Sequence, residues 1–127
     1  MNKILFSGQD KTVFKTLENI FSERGISTRW MDSGQKTISA ISGENYELVI
    51  LQEDQPDMTC KKLIEQIIMI NAMINCVVLS SVPEEEFHEI YEGLGVLMKL
   101  SLTPDKEDAD KITSYLDRIN AMGSHKK

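Results

Sequence analysis

The chain has 127 residues, 41% of them hydrophobic and 27% charged, the size and composition of one globular domain, which excludes a two-domain reading. Lys and Arg number 14 against 20 Asp and Glu, a formal net charge of -6, so no sequence-wide basic field attracts a phosphate backbone and direct nucleic-acid binding is not expected. Ile4-Leu5-Phe6 is too short for a signal peptide, no apolar run nears the roughly 18 residues of a membrane span, and Cys60 and Cys76 lack paired or metal-ligand spacing, so a soluble, reduced, cytoplasmic setting is expected.

In chain order, Lys3 to Ser7 reads as a strand. Asp10 then offers an N-cap to a helix whose apolar positions Val13, Phe14, Leu17, Ile20 and Phe21 recur at three and four, closed by Gly25. Ile26 to Met31, with Trp30 inside it, is a weaker strand. Asp32-Ser33 starts a short helix carrying Ile38 and Ile41 that ends near Gly43. Glu47 to Leu51 holds a continuous apolar run, the signature of a central parallel strand buried on both faces. A third helix is expected from Cys60 to Met73, followed by the apolar strand Cys76 to Leu79. Pro83 with Glu84, Glu85 and Glu86 marks a helix start, because proline suits the first turn and carboxylates favour the positive end of the helix dipole. Gly95 is expected to end that helix, Val96 to Leu100 is the fifth strand, and Thr103-Pro104-Asp105 opens a last helix with Ile112, Tyr115, Leu116, Ile119 and Met122 on one side. Residues 1–122 form the expected domain, and 123–127 a disordered tail.

Alternating strands and helices with short connections predict a doubly wound (βα)5 three-layer α/β sandwich, flavodoxin-like, with a parallel sheet ordered 2-1-3-4-5 and sites at the carboxyl ends of the strands. Many chemistries share that architecture, so the site has to be read residue by residue.

The order and lengths of these elements, together with several motifs, resemble the receiver domain of bacterial two-component response regulators over about residues 2 to 121. Tyr46-Glu47-Leu48-Val49-Ile50-Leu51-Gln52, followed by Pro56-Asp57-Met58, is similar to the family's phosphoacceptor strand and the loop after it. In the family an Asp ends that strand; here Gln52 stands there. Val77-Val78-Leu79-Ser80-Ser81 is similar to the fourth strand, placing Ser80 where receivers carry the hydroxyl that bonds the phosphoryl group.

Other positions depart from the pattern. The resemblance implies an acidic pair for Mg²⁺ after the first strand, where this chain has Gly8 and Gln9, with Asp10 one place further. Mg²⁺ needs hard oxygen ligands, typically carboxylates, and a glutamine amide cannot form an acyl phosphate. The family's lysine at the end of the fifth strand corresponds to Leu102 or Thr103, and its switch aromatic to Lys99 or Leu100, depending on register. The expected pocket of Gly8, Gln9, Asp10, Gln52, Asp54, Ser80 and Leu102 is thus degenerate. Gln52 is expected to satisfy Ser80 or a backbone amide, and Glu53, Asp54 and Asp57 to form a solvated acidic loop.

The expected function is a receiver-like signalling module that binds rather than turns over substrate, with no cofactor and no metal. Its expected partner is a signalling protein such as a histidine kinase, an output domain or a dimer mate. In receivers, partners commonly use the face of the fourth helix, fifth strand and fifth helix, which implies Phe87, Tyr91, Lys99, Tyr115 and Arg118 here. One alternative is a regulator phosphorylated unconventionally on Asp54, with Asp10 and Mg²⁺. Another is a flavodoxin-like ligand binder, although Ser7-Gly8-Gln9-Asp10-Lys11-Thr12 lacks that family's closely spaced hydroxyls. His88 has no nucleophile near it and reads as a surface residue. The third helix carries apolar residues around well over half its circumference: Leu63, Ile67, Ile70 and Ile74 on one line, Ile64, Ile68, Met69 and Met73 beside it. Burial between sheet and helices competes there with an exposed docking surface.

Overall fold

A computed structural model describes residues 3–124, and the side chains of residues 3–119. Five strands, β1 (Lys3–Ser7), β2 (Ser27–Met31), β3 (Leu48–Gln52), β4 (Asn75–Leu79) and β5 (Val96–Leu100), form one parallel sheet in the order β2-β1-β3-β4-β5, as the alternation of strands and helices predicts. Between them lie α1 (Lys15–Glu23), α2 (Gly34–Gly43), α3 (Cys60–Ile70) and α4 (Glu84–Ile90), and α5 (Lys106–Ser124) follows β5. Gly123 and Ser124, expected in a disordered tail, therefore continue a helix. Residues 125–127 and the side chain of Met122 lie outside the described residues.

The continuous apolar runs of the central strands have a simple origin. Alternate side chains leave opposite faces of a strand, and both faces are covered. Ile4, Phe6, Leu48, Ile50, Val77 and Leu79 meet Phe14, Leu17, Phe21, Ile112 and Leu116 in one core layer. Leu5, Val49, Leu51, Cys76 and Val78 meet Ile41, Leu63, Ile64, Ile67, Phe87 and Tyr91 in the other. β3 pairs with β1 and β4, so its end sits at the middle of the carboxyl edge.

Helix boundaries differ from the expected ones where local hydrogen bonds intervene. Asp10 does cap, but what it caps is a 3-10 turn over Lys11–Phe14, and the α-helix proper begins at Lys15. α3 stops at Ile70 rather than Met73, because the Asn71 side chain accepts the backbone N–H of Met73 at 3.0 Å and offers the chain a local turn in place of helix. α4 stops at Ile90, short of Gly95, since Gly93 at φ +82° already turns the chain where a residue with a Cβ would be strained. Ser33 and Thr59 cap α2 and α3 by accepting N–H bonds from Lys36 and Lys62.

α3 divides its broad apolar surface. Leu63, Ile64 and Ile67 are fully buried, whereas Met69 near the end of the helix and Met73 in the turn after it are 86% and 83% exposed, so the helix serves the core with one side and presents its carboxyl end to solvent with another.

Candidate functional site

The carboxyl edge of the sheet gathers Ser7-Gly8-Gln9-Asp10 from β1, Gln52-Glu53-Asp54-Gln55 from β3, Ser80 from β4 and the loop after β5. Backbone bonds tie these ends together: Gly8 N–H donates to the Met31 carbonyl, Glu53 N–H to Leu79 and Ser80 N–H to Leu100.

At the centre, the Gln52 side chain lies directly over Gly8. A Cβ placed on Gly8 would stand 2.0 Å from Gln52 Oε1, so glycine is what leaves room for the amide. From there Oε1 accepts the backbone N–H of Asp10 at 3.0 Å. Of the two roles expected for Gln52, satisfying a backbone amide is the one it fills. Asp10 uses its own carboxylate locally, with Oδ1 accepting the backbone N–H and the hydroxyl of Thr12. The carbonyl of Gly8 receives the indole N–H of Trp30 at 2.9 Å.

Ser80 is fully buried and its hydroxyl is taken. Its Oγ donates to Glu53 Oε1 at 2.7 Å and accepts the Val82 N–H at 3.0 Å. The other oxygen of Glu53 accepts the Tyr91 phenol at 2.7 Å. Burial, with the bond to Glu53 second, pushes the Tyr91 hydroxyl well above the ordinary phenol range, so it stays a donor. The Cys60 thiol adjoins this phenol, and burial pushes it up to about 12.

Two residues expected in a solvated acidic loop are therefore structural. Glu53 bridges β4 and the end of α4. Asp57 caps α2, each carboxylate oxygen accepting one N–H, from Gly34 and from Gln35, both at 2.9 Å. Those two N–H groups, Gln35 first, hold its carboxyl below the usual range. Asp54 keeps the expected exposed position, on a groove of about 490 Å³ between the start of α3 and the end of α4, and Asp57 is exposed as well although both its oxygens are spent on α2. Gln55, which the sequence reading missed, is buried and clamps the loop, its Nε2 donating to the carbonyls of Ser7 at 3.2 Å and Gln52 at 2.9 Å.

Leu102 is 52% exposed in the β5–α5 loop and brings no cation to the pocket. The donor set does not fit Mg²⁺. Asp10 has one carboxylate oxygen on Thr12, Glu53 is spent on two hydroxyls and Asp57 on α2, Asp54 lies exposed on the groove beside α3 and α4, and no cluster of three acidic, His or Cys side chains suited to a metal occurs among the described residues. Gln55 Oε1, buried without a protein donor, adds one neutral oxygen and no charge.

The expected partner face also needs correction. Phe87 and Tyr91 are 3% and 5% exposed and pack as a tilted ring pair with centroids 4.6 Å apart in the second core layer, so they offer almost no surface to a partner. Their i, i+4 spacing on an otherwise polar helix was the available signal of burial. Tyr115 is half-buried and donates to Asn75 Oδ1 at 3.0 Å. Lys99 and Arg118 remain accessible, lining with Lys111 a groove of about 500 Å³ beside β5. His88 is exposed beside Glu84, as expected.

No protein-family model and no curated protein matches the sequence. Solved structures do match the fold. A two-component response regulator from Clostridium difficile superposes with a TM-score of 0.84 at 22% identity, over 94% of this chain and 99% of that one. A response regulator receiver domain protein from Methanospirillum hungatei JF-1 gives 0.84 at 16% identity, over 96% and 98%. A chemotaxis response regulator from Vibrio cholerae gives 0.81 at 14%, over 91% and 98%. At these identities the likeness is one of fold: the (βα)5 sandwich is that of receiver domains.

Proposed function

We propose that the chain is a receiver-like module of the response-regulator family that signals by protein contact and is not phosphorylated on aspartate. One observation carries this reading: the polar groups at the carboxyl edge are spent on one another, Gln52 on Asp10 and Ser80 on Glu53. A phosphoryl group arriving there would find an amide in place of a nucleophilic carboxylate, a buried hydroxyl already bonded to a carboxylate, and the uncharged, half-exposed Leu102 in place of a lysine. The fold shared with solved receivers over nearly the whole chain supports the family assignment. The proposed partner is a kinase, an output domain or a dimer mate, met in the cytoplasm without cofactor or turnover. Of the residues expected at a partner face, Arg118 is exposed and Lys99 and Tyr115 are half-buried, and these are the ones available. No helix among the described residues is long and apolar enough to cross a membrane.

The test is an amide NMR titration of the ¹⁵N-labelled protein with Mg²⁺ and beryllofluoride, a mimic of aspartyl phosphate. Resonances of Gln52 and Ser80 are expected to stay in place. Saturable shifts spreading to α4 and β5, or mass-spectrometric detection of phosphate on Asp54 after incubation with acetyl phosphate and Mg²⁺, would overturn the proposal.

A further inference from the structure

α4 is the least anchored helix of the fold. It has seven residues, of which Phe87 alone is buried, and Glu84, Glu85, Glu86, His88 and Glu89 all face solvent. Seven residues are too few to hold a helix by their own backbone bonds, so its position must come from tertiary contacts. Beyond the packing of Phe87, those contacts concentrate at the C-cap residue Tyr91, whose ring packs tilted against Phe87 and whose hydroxyl reaches Glu53.

Glu53 is well placed to control this helix. It follows the central strand directly, and its backbone N–H is fixed to the Leu79 carbonyl at 3.1 Å. One of its oxygens is held by the fully buried Ser80 and the other by Tyr91, so a single carboxylate fastens α4 to two central strands. Each bond joins a hydroxyl to a carboxylate, a class roughly twice as strong as its neutral counterpart. The Cys60 thiol beside Tyr91 is too weak a donor or acceptor to replace it.

We infer that Glu53 is a built-in latch: its carboxylate, bridging Ser80 and Tyr91, holds α4 docked on the sheet, and without it α4 detaches locally while the sheet stays folded. The device goes beyond the proposed signalling role and does not depend on it. Its consequence is that the acidic outer face of α4 is presented in one fixed position without any covalent charge event. A partner reading that face meets it already set.

Hydrogen exchange tests the latch on the full chain, without metal or phosphoryl donor, so its outcome is separate from the beryllofluoride titration. Tyr91→Phe keeps the ring and removes only the hydroxyl, and Glu53→Ala removes both bonds. Each is expected to speed exchange of the Phe87, Tyr91 and Leu94 amides, whose N–H groups close the turns of α4 and the loop after it, by ~10-fold or more, with the β1 and β3 amides unchanged. The double variant is expected to exchange no faster than Glu53→Ala alone, because both changes break the same bridge. Unchanged exchange in Tyr91→Phe, acceleration spread evenly over the sheet, or additive effects in the double variant would each overturn the latch. If Glu53→Ala fails to fold, Tyr91→Phe still decides.

Discussion

Replacing Gly8 by Ala tests whether the centre of the carboxyl edge is really filled by Gln52. The new Cβ would sit 2.0 Å from Oε1 and under 3 Å from Cδ and Cγ of Gln52, so the whole side chain must swing away and the Asp10 N–H loses its acceptor. That lost bond is exposed enough for water to replace it, and costs about 0.5–1.5 kcal/mol. A non-glycine residue at φ +157° adds backbone strain of about 1–3 kcal/mol. Together Gly8→Ala is expected to destabilise by roughly 2–4 kcal/mol, a fall in Tm of roughly 8–15 °C for a domain of this size. The two contributions separate in a double-mutant cycle followed by urea unfolding and circular dichroism. In a Gln52→Ala background the amide is already gone, so Gly8→Ala there should cost only the strain, ~1 kcal/mol less than in the natural sequence. Equal cost in both backgrounds would refute the idea that glycine is needed to admit the amide.

Asp57→Asn leaves α2 without its charged cap and is expected to cost about 1 kcal/mol in urea unfolding. Because the folded carboxyl of Asp57 is held below its unfolded value, its contribution is complete above about pH 4 and disappears as pH falls through the lower, folded value; the gap between natural and variant proteins should therefore close in acid, and a gap that persists there contradicts the assignment. Ile67→Ala opens a cavity under α3 and should cost about 2–5 kcal/mol, while Met69→Ala on the same helix should stay within about 0.5 kcal/mol; similar losses at both sites in thermal unfolding would contradict the division of that helix. Burial pushes both thiols up to about 12, so Cys60 and Cys76 should resist Ellman's reagent at pH 8 and react only once the chain unfolds.

What the sequence makes legible is whatever depends on neighbours along the chain. Leu48-Val49-Ile50-Leu51 announces a strand covered on both faces, and the two-layer core bears that out residue by residue. Ser33 and the proline before Glu84-Glu85-Glu86 announce helix starts for equally local reasons. The polar site is different in kind. Glu53 finds its partners 27 and 38 residues further along the chain, and Asp57 finds its own 22 and 23 residues back. A run of acids reads the same whether water or a buried hydroxyl answers it, so only the assembled edge distinguishes Glu53 from Asp54. Tyr91 shows the opposite error. Its spacing from Phe87 points inward, but the resemblance to receivers drew it outward, onto a face that the short α4 does not expose.

The bond from Trp30 to the carbonyl of Gly8 gives this protein an intrinsic optical probe. Trp30 is the single tryptophan of the chain, half-buried, with the Lys11 ammonium 5.4 Å from its ring and its indole N–H on the very peptide that Gln52 covers. Indole emission moves in wavelength and intensity with the charge and water around the ring. Any ligand, partner or substitution that lifts the Gln52 amide off Gly8 would therefore change the fluorescence of the unlabelled protein, and binding at the filled edge can be followed in a cuvette with no dye attached.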